Sequence, residues 1–129
     1  MTSESWRLEA LRRFPAFAED VQANETPYAL WSDLWLAFDS AYNSGDTKLI
    51  AAVYAFALWC AQQPRGASAA EDLPTCVSVC FIEHIPTNQK ALDDMPRWLT
   101  RADVERLKDA LSYHVGEDGY ARILKRYAV

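Results

Sequence analysis

The sequence predicts an all-α fold, a compact bundle of seven or eight antiparallel helices packed as hairpins around one apolar central helix. Three observations carry this. Large apolar residues recur at helical spacing along most of the chain. Caps and stops fall where those stripes begin and end, with Ser, Thr or Asp before them and Pro or Gly after. The one stretch whose alternation and β-branched residues suit a strand, residues 75–82, has no candidate partner strand elsewhere. A single domain is expected from 129 residues. Residues 1–25 supply short N-terminal helices and residues 26–129 the main helical core. Half of the residues are apolar and 12% aromatic, five of them Trp, which excludes general disorder.

Trp6, Leu8, Leu11 and Phe14 predict a first amphipathic helix, with Ser3 or Ser5 as its cap and Pro15 as its stop. A second short helix passes through Phe17 and Val21 and ends near Asn24. Thr26-Pro27 puts a capping hydroxyl before a proline at the first helical position. The stripe Leu30, Trp31, Leu34, Trp35, Phe38 and Tyr42 follows. Asn43-Ser44-Gly45 ends that helix, and Asp46 caps the next, which runs from about 47 to 63 and is apolar nearly all round, the mark of a buried helix. The loop at 64–70 precedes a capping-box spacing, Ser68 with Glu71. Residues 75–82 read as helix, supported by the acidic start at Glu71 and Asp72 and by Pro74 in the first turn. Thr87 is the expected cap of a short helix through Leu92, and residues 95–98 make a turn. Thr100, with Asp103 at the capping-box position, starts a helix that Gly116 closes. The last helix carries Tyr120, Ile123, Leu124 and Tyr127, its basic end at Lys125 and Arg126 matching the helix dipole.

Net charge is −5. Residues 18–96 hold eleven acids against three bases, whereas residues 97–129 hold five against seven. That acidic middle repels nucleic acid and an anionic membrane surface and favours a basic partner. The longest apolar run, residues 50–61, is well short of the ~20 residues a membrane-spanning helix needs. With no recognisable signal peptide, the expected location is the cytoplasm, where Cys60, Cys76 and Cys80 stay reduced.

Cys76, Cys80 and His84 fall at i, i+4 and i+8, aligned on a helix but spread over ~12 Å, too far to share one zinc ion. Small core residues are the better reading, and no metal or other cofactor is expected. Glu83-His84 is the most polar point of this apolar stretch. A buried Glu83 needs a partner, with Arg97, His114 or a helix N-terminus available. The alternative is a small-ligand or metal-binding protein, or an enzyme, centred on Glu83, His84 and His114, in which Glu83 and His114 form an acid–base pair. No nucleophile elbow, glycine-rich phosphate loop or paired helical carboxylates for two metals occur, which disfavours an enzyme. Arg97-Trp98 lies in a proline-containing turn, where Trp98 plugs the bottom of the core while Arg97 snorkels or caps a helix end, or, as the alternative, the pair forms a binding hot spot.

Cys80-Phe-Ile-Glu-His-Ile-Pro86, Asp94-Met-Pro-Arg-Trp98 and Ser112-Tyr-His-Val-Gly116, with the aromatic helix at 28–42, resemble a family of small all-helical bacterial proteins, a domain of unknown function. The resemblance covers about residues 28–127. Such proteins are in turn similar to immunity proteins of bacterial toxin systems, each of which binds and blocks one toxin. The resemblance implies a helical fold, the bacterial cytoplasm and a protein partner, with no catalytic residues to carry across. It also groups Glu83, His84, Arg97, Trp98, Tyr113 and His114 as one candidate patch, either a polar network fixing the C-terminal hairpin or a binding surface. The leading expectation is therefore a non-enzymatic protein-binding module whose partner is a basic toxin.

Overall fold

The computed structural model describes residues 5–127. Among them the fold is all-α, with nine α-helices, several short 3₁₀ segments and no strand. The chain divides into two compact units, Met1–Phe81 and Ile82–Val129.

In the first unit, α1 (Ser5–Arg13) buries Trp6 and Ala10, and Phe14 continues the same face at the next helical repeat. Leu8 was expected on that face and is instead 68% exposed, because two residues turn it about 200° from Trp6. Ser3, a candidate cap, lies outside the described residues. Pro15–Phe17 forms a 3₁₀ turn leading into α2 (Ala18–Ala23). The Thr26 hydroxyl accepts the Ala29 N–H at 3.2 Å and starts α3 (Pro27–Ser44). Gly45 stops it in the left-handed region at φ 76°, its N–H donating to the Ala41 carbonyl. Asp46 then accepts the Leu49 N–H at 3.2 Å to cap α4 (Thr47–Ala61).

The start of α5 (Leu73–Cys80) corrects one expectation. Ser68 makes no capping bond and is followed only by the 3₁₀ turn Ala69–Glu71. Asp72 is the cap. Its Oδ2 accepts the Thr75 N–H at 3.2 Å and the Thr75 hydroxyl at 2.5 Å, while Oδ1 accepts the Gly66 N–H at 2.7 Å. A carboxylate has lone pairs for all three donors, and a serine hydroxyl does not. Gly66 is required by this close approach, since a Cβ there would lie 2.3 Å from the Glu71 carbonyl oxygen. Residues 75–80 are helical, so the strand reading of this stretch falls away.

Helix α4 packs against α1, α3 and α5, and α3 against α5. Their shared core is aromatic. The Phe81 ring lies 4.7 Å from Phe38, 5.2 Å from Trp31 and 5.6 Å from Tyr54, with Phe56 against the other side of Trp31 at 5.3 Å. Such edge-to-face and tilted pairs add specific geometry to the buried area. All three cysteines are thiols outside any disulfide, and all are buried. Burial pushes Cys60 and Cys76 up to about 12.

In the second unit, Ile82–Thr87 is a 3₁₀ segment, followed by α6 (Gln89–Asp94), the 3₁₀ turn Met95–Arg97, α7 (Arg101–Arg106), α8 (Lys108–Ser112) and α9 (Gly116–Lys125). Asn88, and not Thr87, caps α6, accepting the Ala91 N–H at 2.9 Å. Thr87 instead donates its hydroxyl back to the His84 carbonyl at 2.6 Å. The Thr100–Asp103 capping box forms with both of its bonds. The single helix expected from Thr100 to Gly116 is broken at Leu107 (φ −97°, ψ 18°), which raises the helix count above the seven or eight expected. Arg126, the residue that caps the C-terminus of α9, bonds Asp93 on α6 at 3.0 Å.

Candidate functional site

The second unit positions the candidate residues by backbone geometry. Phe81 leaves helical geometry at φ −127°, ψ −64° and ends α5. Pro86 then bars an α-helical continuation, having no N–H for the Ile82 carbonyl. The chain takes the tighter 3₁₀ path, in which residues three apart share a face. Ile82 and Ile85 are that face, both buried, and Glu83 and His84 are turned onto the others. The same break ends the helical alignment of Cys76, Cys80 and His84. Among the described residues no three His, Cys, Asp or Glu side chains are disposed to hold one metal ion.

Helix α8 packs against the 82–87 segment through its own buried Leu111. Tyr113 and His114 follow directly after α8. His114 Nε2 lies 3.7 Å from Glu83 Oε1, and its ring centroid is 5.2 Å from that of His84. The Tyr113 ring meets His114 edge-on at 5.0 Å. Glu83, His84, His114 and Tyr113 thus form one ladder that rises from a mostly buried carboxylate to a phenol ring 70% exposed.

Arg97 and Trp98 gather around a different residue. The Trp98 indole Nε1 donates to Asp94 Oδ2 at 2.8 Å, and Arg97 Nη1 is 3.8 Å from Asp94 Oδ1. The Arg97 guanidinium also sits over the Trp98 ring at 5.0 Å. Of the six residues expected in one patch, Glu83, His84 and Tyr113 meet around His114, and Arg97 and Trp98 both meet Asp94. Its place four residues before Trp98, on one helical face, was the available signal. Asp72 left a weaker one. It is a buried charged residue, 4% exposed, with its carboxyl held below the usual value chiefly by the Thr75 hydroxyl.

Chemically the ladder offers a donor–acceptor edge and an aromatic face at the surface. A cleft of about 300 Å³ in the same unit is lined by Pro86, Gln89, Leu92, Val115 and Arg122 among others, and none of the four ladder side chains borders it. Among the described residues no helix is long and apolar enough to cross a membrane. No family model, curated protein or solved structure matches the chain.

Proposed function

We propose that this chain is a non-enzymatic protein-binding module, a bacterial cytoplasmic immunity protein that neutralises a basic toxin. The observation that carries the reading is Tyr113, at 70% exposure the most exposed large apolar side chain among the described residues, standing on the His114–Glu83–His84 ladder. Tyrosine is enriched at binding hot spots because it offers a large rigid contact area and a hydrogen-bonding tip at low entropic cost. The excess of acids in residues 18–96 supplies attraction for a basic partner. We read the layout as helical hairpins arranged around α4, supported by the packing of α4 against α1, α3 and α5.

The test is to co-express the chain with the products of its neighbouring genes and titrate any stoichiometric complex. Tyr113→Ala should weaken binding at least about tenfold while leaving the melting temperature unchanged. The absence of a stoichiometric partner among those products, or a complex indifferent to Tyr113→Ala, contradicts the reading. Metal analysis of the purified protein and a thermal-shift screen address the alternative centred on Glu83, His84 and His114.

A further inference from the structure

Helix α9 and the residues flanking it turn one stripe, Val115, Gly119, Arg122, Ile123 and Arg126, toward the cleft of about 300 Å³ in the second unit. These are positions i, i+4, i+7, i+8 and i+11, the spacing of a single helix face. Gln89 and Leu92 line the cleft from α6. Val115 can lean over residue 119 because that residue is glycine, where a Cβ would lie 2.4 Å from the Val115 Cβ. The volume stands at the low end of small-molecule sites, which suits a compact ligand.

The lining grades from apolar to charged. Ile123 is buried and Leu92 and Val115 are half-buried, whereas Gln89 and Arg122 are exposed. Arg126 is fixed by its neighbours. Its Nε and Nη2 donate to Asp93 Oδ1 at 3.3 and 3.0 Å, and its Nη1 donates to the Arg122 carbonyl at 3.0 Å. The Gln89 amide donates to the same Asp93 oxygen at 3.0 Å. Asp93 therefore cancels the charge of Arg126, whose guanidinium still keeps two of its five N–H groups unspent. Arg122 differs. Its guanidinium has no carboxylate partner among the described residues, and Asp118, one turn back on α9, forms no ion pair with it. The cleft thus joins an apolar bed to one uncompensated positive charge, that of Arg122.

We propose that this cleft binds a small monocarboxylate with a short branched aliphatic body, its carboxylate held by Arg122 and its body laid against Leu92, Val115 and Ile123. A guanidinium presents paired donors that match the two oxygens of a carboxylate. A doubly charged phosphate would bring a second negative charge that nothing balances, close to Asp93. A neutral ligand of the same shape gains nothing from Arg122. The site lies apart from the Tyr113 ladder and does not depend on the protein-binding reading.

The test titrates the full chain with 4-methylpentanoate and compares its neutral amide, acetate and inorganic phosphate, followed by amide shift mapping. Saturable binding of 4-methylpentanoate at about millimolar concentration is expected, with shifts at Gln89, Leu92, Val115 and Arg122. The amide and acetate should each bind at least about tenfold more weakly, the first lacking the charge and the second the body. Arg122→Gln should weaken 4-methylpentanoate at least about tenfold, and Arg122→Lys several-fold, since it keeps the charge and loses the fork. Lys125→Gln makes the same charge change on α9 outside the cleft and should leave binding unchanged. Arg122 and Lys125 are both exposed, so circular dichroism should show equal folding, and the ligand comparison on the unaltered chain stands whatever the variants do. Shifts confined to another surface, no saturation, binding of the amide, acetate or phosphate as tight as that of 4-methylpentanoate, or equal effects of Arg122→Gln and Lys125→Gln overturns the proposal.

Discussion

Replacing Asp72 tests how the first unit is tied together. Its carboxylate accepts from the Gly66 N–H at 2.7 Å, the Thr75 hydroxyl at 2.5 Å and the Thr75 N–H at 3.2 Å, with Arg65 Nε at 3.3 Å from Oδ1. Asp72→Ala removes an N-cap, worth about 1 kcal/mol. It also leaves the Gly66 donor unpaired, at a further cost of about 1–2 kcal/mol. Arg65 is 86% exposed, so its contribution is small. The expected loss is thus about 2–3 kcal/mol, large against the stability of a domain this size. Asp72→Asn keeps one acceptor oxygen but turns an amide N–H₂ toward donors, and should lose about half as much.

The pH dependence has a definite sign. The folded-state value of Asp72 is lowered, so between it and the ordinary 3.8 the unfolded chain binds more protons and stability rises with pH. The advantage of wild type over Asp72→Asn is therefore complete at neutral pH and shrinks as pH falls below 3.8. Urea titrations of the full chain followed by circular dichroism, at neutral pH and near pH 3, read both effects. A loss under about 0.5 kcal/mol for Asp72→Ala, or a difference from Asp72→Asn that does not change with pH, refutes the reasoning.

Gly45→Ala should cost about 1 kcal/mol in the same titration, since φ 76° is strained for any side chain although the space around it is open. Gly45→Asn should cost less. Phe81→Ala, emptying a fully buried ring site among Phe38, Trp31 and Tyr54, should lose about 3–5 kcal/mol. With Cys60 and Cys76 pushed up to about 12 and all three thiols buried, a thiol-reactive dye at mildly alkaline pH should label the native protein only as fast as it unfolds. Rapid labelling of any cysteine in the native state contradicts that. Thr100→Ala should cost about 1 kcal/mol through loss of the capping box with Asp103.

The helical elements were legible wherever a local signal had no competitor. Thr26-Pro27, Asp46 and Thr100 cap helices as their sequences suggest, and Gly45 stops α3 as the run before it implies. The failures came where two residues within a few positions could each cap. Asp72 prevailed over Ser68 because the returning Gly66 loop supplies an extra donor, and Asn88 prevailed over Thr87, whose hydroxyl reaches back to His84 instead. Neither donor is visible in linear spacing. The break at Leu107 has no composition signal at all, since the residues around it are good helix formers.

The site was legible in part. Sequence proximity cannot place Glu83 beside His114, 31 positions apart, yet both lie in short motifs, and the structure sets them 3.7 Å from each other. It could not foresee that Arg97 and Trp98 would turn to Asp94, because i, i+4 bonding competes with any distant partner and closes at lower entropic cost.

The measurement that bears most directly on the protein-binding reading is calorimetric titration of the chain with its stoichiometric partner from a neighbouring gene, in wild-type and Tyr113→Ala forms. The account predicts a stoichiometric complex whose affinity falls at least about tenfold on removing the Tyr113 ring, with the melting temperature of the free protein unchanged. An affinity untouched by Tyr113→Ala contradicts it.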